Sequence, residues 1–132
     1  MKLYRDYDYQ KLLEIGRTSE NKQVVKDVSF TRVVHHHNKK SLYCERIEDF
    51  CFIIGQVQKN QFRIIGMYTK KQFEGRGYAS FLFRRLVEFC KKKGIKKITT
   101  RSLTGAEFYC KKGFDVVGMK GDDYLLTMEI KT

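Results

Sequence analysis

A chain of 132 residues has room for one domain around one hydrophobic core. An apolar and aromatic content of 42%, with no proline, points to a packed globular fold and away from a disordered binder. The net charge of +12 is uneven, since residues 61 to 132 carry 16 Lys and Arg against 7 Asp and Glu; such a field draws polyanions, whether nucleic acid, acidic headgroups or a phosphate-rich cofactor, without choosing among them.

Met1 to Tyr4 predicts a short strand, and the start of the chain lacks the apolar stretch of a secretory signal. No apolar run approaches the roughly 18 residues of a bilayer span, so no membrane association and a cytoplasmic location are expected. Tyr9, Leu12, Leu13 and Ile15 are spaced for a first helix, with Gly16 as its stop. Residues 20 to 40 are ambiguous, because Val28 to Val34 suits a strand or a helix. Leu42 to Ile47, Phe50 to Gln58 and Gln61 to Thr69 read as strands joined by short turns, which makes an antiparallel meander.

The clearest helix starts within Arg76 to Tyr78 and runs to Lys93. Ala79, Leu82, Phe83, Leu86, Val87 and Cys90 form its apolar stripe, and Gly94 ends it. Ile95 to Arg101 follows as a strand, so the segment from Gln61 onward is a βαβ crossover with two parallel strands. Thr104 and Glu107 are spaced as a capping box opening a short helix to Lys112, stopped at Gly113. Phe114 to Met119 and Tyr124 to Ile130 close the chain as an antiparallel pair. The expected fold is α/β, with helices flanking a mixed, mostly antiparallel sheet of six or seven strands around the crossover. Cys44, Cys51, Cys90 and Cys110 show no C-x-x-C spacing and read as packing residues.

A strand followed by Gly75-Arg76-Gly77 and a helix start is a site for an anion. The glycines let the backbone approach, the first helical turn exposes unpaired N–H groups, and the helix dipole adds positive potential. The sequence has no G-x-x-x-x-G-K-[ST] loop. Gly75 to Ser80 also lacks the third glycine and the later acidic residue of a dinucleotide fingerprint.

The segment Tyr68 to Ala79, with Gly77 and Ala79 at the fixed positions of Arg/Gln-x-x-Gly-x-Gly/Ala, resembles the signature of the GNAT superfamily of N-acetyltransferases. Glu74 stands where the family has arginine or glutamine, and Thr69 and Lys71 stand where valine and proline are common. Ala106 to Phe114 is similar to the family's A-x-x-F-Y-x-x-x-G-F segment, one helix and one strand later. The resemblance implies acetyl-CoA as cosubstrate and an amine of a small molecule, peptide or protein as acceptor. Its pantetheine arm would lie along the backbone of Met67, Tyr68 and Thr69, its pyrophosphate on Gly75, Arg76, Gly77, Tyr78, Ala79 and Ser80, with Ser102 as a further contact. Tyr109 takes the position of the general acid that protonates the departing thiolate, and Lys111 and Lys112 would lower its pKa if they lie close.

The general base has no clear candidate. Gln61 to Thr69 holds no carboxylate, Glu48, Asp49 and Glu129 read more simply as exposed charges, and a water-mediated route is compatible with the chain. His35-His36-His37 cannot all face one metal, being consecutive, and no fourth ligand accompanies them; no metal is expected. The lysines from Lys91 to Lys97 read as a solvated helix end, with attraction of the phosphates of CoA or of a nucleic acid as the functional alternative. The rival reading from another class is a basic nucleic-acid-binding module with this fold and no turnover, although no RNA-recognition or zinc-finger signature is present. Association as a homodimer is compatible with the sequence.

Overall fold

The computed structural model describes residues 2–17 and 23–131. Its elements run β1 (Leu3–Tyr4), α1 (Tyr9–Arg17), α2 (Gln23–Asn38), β2 (Leu42–Ile47), β3 (Cys51–Gln58), β4 (Gln61–Thr69), α3 (Tyr78–Lys92), β5 (Lys97–Ser102), α4 (Ala106–Lys111), β6 (Asp115–Lys120) and β7 (Asp123–Glu129). The strands form one sheet in the order β1-β2-β3-β4-β5-β7-β6. All neighbours are antiparallel except β4 and β5, which the α3 crossover makes parallel. Among the described residues no helix is long and apolar enough to cross a membrane.

The sheet is packed on both faces. On one face, Leu82, Phe83, Leu86 and Cys90 of α3 and Tyr109 of α4 meet Ile53, Phe62, Ile64, Ile98 and Leu126. On the other, Leu12 and Ile15 of α1 and Val24 and Val28 of α2 meet Cys44, Phe52, Ile54, Ile65 and Tyr68. Among the described residues this second cover packs mainly on β2, β3 and β4, while Lys97 and Arg101 of β5 and Val117 of β6 stay exposed. Glu45, wholly buried on β2, ties the first face together: Arg85 of α3 grips it through Nε at 2.7 Å and Nη2 at 2.9 Å, and Arg5 adds a third bond at 3.1 Å. Burial alone would raise its pKa, but the hydrogen bonds from Arg85 and Arg5 prevail and hold the carboxyl below its ordinary value.

A β-bulge sets the orientation of the site. Ile54 of β3 pairs with Gly66, while Gly55 pairs with Ile64, so Ile65 is the extra residue on β4. Side chains alternate along a strand, and one extra residue inverts that alternation. Phe62 and Ile64 therefore face α3, and beyond the bulge Met67 faces α3 while Tyr68 faces α2.

Two local expectations change. Gly16 does not stop α1 but lies inside it, buried against α2: a Cβ there would come within 2.1 Å of Val24 Cγ2, so glycine permits the close helix crossing. Thr104 and Glu107 form no capping box. Gly105 is the N-cap of α4 without a side-chain cap, and its N–H donates to Ser102 Oγ at 2.7 Å instead, because the helix starts one residue later than a threonine cap requires. The ambiguous stretch Val28 to Val34 is helix, carried on a buried stripe of Val24, Val28 and Thr31, with the Thr31 hydroxyl turned back onto the Asp27 carbonyl at 2.8 Å. Residues 20–22 lie outside the described residues.

Candidate active site

Strands β4 and β5 are paired only from Gln61–Lys97 to Ile64–Thr100. Beyond that point they part, and among the described residues the edge of β4 from Ile65 to Thr69 has no strand beside it, although its other edge stays bonded to β3 as far as Thr69–Cys51. The β4 segment Met67-Tyr68-Thr69 therefore carries backbone donors and acceptors toward the gap where the two strands part. An extended ligand with alternating amide groups can pair there as an added strand does.

The gap opens onto the loop after β4. A turn of 3-10 helix at Lys71–Phe73 leads to Gly75 and Gly77, with φ of +76° and +83°. A Cβ on either glycine would meet nothing within 4 Å, so the two are selected by backbone angle and leave their surroundings open. Gly77 caps α3 without any side-chain bond. The first helical hydrogen bond runs from Phe81 N–H to the Gly77 carbonyl at 3.0 Å, which puts the N–H groups of Tyr78, Ala79 and Ser80 ahead of the helical ladder. The loop is held by rings: Phe50 packs at a tilt on Phe73 at 4.1 Å, Tyr78 lies 5.5 Å from Phe50, and the Arg76 guanidinium covers Phe73 at 5.3 Å. The open glycine loop and the helix start together are suited to an anion.

Tyr109 stands where the two strands part. Its ring packs on Phe114 at 5.1 Å and over Gly105, it is only 6% exposed, and its hydroxyl lies against Thr100, the last residue of β5 paired with β4. Burial pushes its pKa up to about 12, with Thr100 drawing it back and Asp27 adding to the rise. The expected lowering by lysine does not occur, since Lys111 is paired with Glu107 at 3.2 Å and Lys112 lies over Phe108. Ser102 also lies at the end of β5, where its oxygen anchors the turn into α4 through the Gly105 N–H.

The lysines from Lys91 to Lys93 lie at the far end of α3 from the loop. With 15 residues in the helix, about 22 Å separates the ends, so direct contact between these lysines and an anion at Gly75–Ser80 is excluded. Of the carboxylates considered from sequence, Asp49 is held by Lys70 at 3.3 Å, and Glu129 pairs with Lys97 in the sheet at the end away from the gap. The histidines divide: His35 stacks on Tyr7 at 4.4 Å, and His36 and His37 are exposed. Three cysteines are buried as packing residues, whereas Cys110 is exposed.

Sequence reasoning passed over Asp27. This α2 residue lies over β4 so closely that its Oδ2 would be 2.7 Å from a Cβ on Gly66. The Tyr68 hydroxyl donates to Oδ2 at 2.5 Å, and the Gln23 amide donates to Oδ1 at 3.3 Å. Burial raises the Asp27 pKa and outweighs the opposing hydrogen bonds from Tyr68 and Gln23 and the charge of Arg63. A carboxylate so placed can hold an ammonium or accept a proton at the α2 side of the gap. The signal for it was weak, because Asp27 and Tyr68 are 41 positions apart and the stretch around Asp27 suits a strand or a helix.

The fold is shared with known proteins. In fold the chain is similar to the PaiA N-acetyltransferase of Thermoplasma acidophilum, solved in complex with coenzyme A, at 18% identity and a TM-score of 0.76 over 98% of this chain and 99% of that one. It is similar also to the ribosomal-protein-S18-alanine N-acetyltransferase of Escherichia coli, at 11% identity and a TM-score of 0.74 over 99% and 94% of the two chains. An aminoglycoside 6'-N-acetyltransferase complexed with coenzyme A gives 11% and 0.75 over 100% and 98%. No curated protein matches the sequence. The family described as the acetyltransferase (GNAT) domain matches residues 20–116, most of the chain, and the protein belongs to that family.

Proposed function

We propose that the protein is an acetyl-CoA-dependent N-acetyltransferase, acting as a single domain in the cytoplasm. The observation that carries this reading is the continuity of an unpaired β4 edge with a glycine loop whose helix start offers free first-turn donors. The fold relatives solved with coenzyme A support it. Acetyl-CoA supplies the acetyl group: the amine nitrogen bonds to the carbonyl carbon, the carbon–sulfur bond breaks, and the thiolate takes up a proton as the new amide sheds one.

In this reading Met67, Tyr68 and Thr69 hold the pantetheine through their backbone, and their N–H groups polarise the acetyl carbonyl. Gly75, Arg76, Gly77, Tyr78, Ala79 and Ser80 hold the pyrophosphate, and Ser102 adds a contact through its hydroxyl proton. Tyr109 donates from its phenol to the departing sulfur. A phenol near pKa 12 facing a thiol of about 8.5 keeps its proton at neutral pH, so its part is to stabilise developing charge by a hydrogen bond.

Acetyl-CoA at about 100 times its Kd should stabilise the protein by roughly 2.7 kcal/mol. Thermal melting with and without millimolar acetyl-CoA measures this, and an unchanged Tm would remove the assignment. Release of CoA in the presence of a panel of amines then tests for turnover.

A further inference from the structure

The acceptor side of the gap has a charge pattern that narrows the substrate. Because α3 and the glycine loop lie on one face of the sheet, a second substrate approaches from the other face, between α2 and the uncovered strands β5 and β7. A groove of about 370 Å³ runs there along β5, floored by Thr99, Leu125 and Thr127. Among the described residues the Thr127 hydroxyl has no hydrogen-bond partner. Arg63, Lys97 and Lys120 line the groove, and none of them is in an ion pair among the described residues, whereas Arg101 is neutralised by Asp123. Arg63 joins the groove to α2, since its guanidinium lies 5.4 Å over the Phe30 ring and its charge acts on Asp27. One carboxylate at the gap thus faces a row of cations leading away from it, with Asp123 and Glu129 as the acidic residues beside them in the sheet.

We propose that the acceptor is a compact primary amine that also carries an anionic group, with its ammonium at Asp27 and its anion in the basic groove headed by Arg63. Asp27 satisfies an ammonium that the rest of this surface repels, and Arg63 can grip a carboxylate or a phosphate with two parallel N–H donors. A polycation meets the wrong field along the whole groove. A neutral amine leaves the row of cations without a partner. The proposal rests on the acetyltransferase reading and deepens it.

The test uses matched amines: ethanolamine and phosphoethanolamine, an amino acid and its amide, and spermidine. Expected is a kcat/KM at least tenfold higher for the anionic member of each pair, with the two pairs showing whether phosphate or carboxylate is preferred. Arg63→Met, which keeps an apolar contact with Phe30, should erase that preference by raising KM for the anionic members alone. Asp27→Asn should lower kcat at least tenfold for every amine while the Tm rise with acetyl-CoA persists. Preference for spermidine or the neutral members, equal effects of Arg63→Met on both members, or full turnover in Asp27→Asn would each overturn the proposal. Calorimetric titration of the protein alone with phosphoethanolamine and with ethanolamine gives a second readout, in which only the former should bind and Arg63→Met should abolish it. If acetyl-CoA fails to raise Tm in the wild type, the acetyltransferase reading falls, and the titration still decides whether the groove takes an anionic amine.

Discussion

Replacing Tyr109 by phenylalanine removes one oxygen from a ring that is otherwise packed against Phe108 and Phe114. With the phenol near 12 and a CoA-like thiol near 8.5, complete proton transfer is uphill by several kcal/mol, on the order of 5. The useful contribution is then a hydrogen bond to a charged partner, about 1.5 to 3 kcal/mol, which corresponds to a fall in kcat of roughly tenfold to a hundredfold. Acetyl-CoA affinity should hold, because the loss falls on the transition state. Steady-state CoA release gives kcat, acetyl-CoA titration gives Kd, and melting checks that the fold is intact. Because burial keeps the phenol protonated, no alkaline loss of kcat assignable to Tyr109 should appear below about pH 11. Wild-type kcat in Tyr109→Phe, or a loss seen only in Kd, would refute the argument and leave Tyr109 a core aromatic.

Gly77→Val should fold, since its Cβ meets no atom, but the branched side chain at φ +83° should distort the helix start and abolish the Tm rise with acetyl-CoA. Glu45→Ala strands Arg85 and Arg5 and should cost about 3 kcal/mol, at the low end for a buried pair because both arginines can turn to water; Tm should fall on the order of 10 °C. Since the folded pKa of Glu45 is depressed, its contribution is present above the unfolded value near 4.3 and lost as pH falls through the folded value, so Glu45→Ala should show a shallower acid slope in urea melts at low pH. Gly16→Ala drives a methyl into Val24 and should destabilise by about 1 to 3 kcal/mol in the same melts, with no change in acetyl-CoA affinity per folded molecule.

The legible part of the sequence was that in which local signals and tertiary roles coincide. Helix α3 buries Leu82, Phe83, Leu86 and Cys90 with the period its sequence announces, and Gly77 and Gly94 punctuate it with positive φ. The gap was legible only through the resemblance, because strand parting leaves no mark on residue type. Helix α2 was obscured by valines, which favour strands, and by exposed Val25, Phe30 and Val33, which blur its apolar face. Asp27 was hidden with it, since a lone carboxylate in an unassigned segment gains meaning only when Gly66 and Tyr68 are brought beneath it. The lysines from Lys91 to Lys93 are the exposed helix end their sequence suggests, while a charge excess by itself carries no position relative to the loop.

The extra residue at Ile65 has a consequence for how specificity can change in this protein. Along the last stretch of β4, side chains directed to α2 and those directed to α3 belong to different ligands under the proposed reading, with Gly66 and Tyr68 on the first side and Met67 on the second. Substitutions at Gly66 and Tyr68 can therefore retune the choice of amine while the backbone that carries pantetheine stays as it is. Deleting Ile65 would remove the bulge and leave both side chains facing as they do, because Ile64 and Gly66 then follow one another in regular alternation opposite their present partners Gly55 and Ile54.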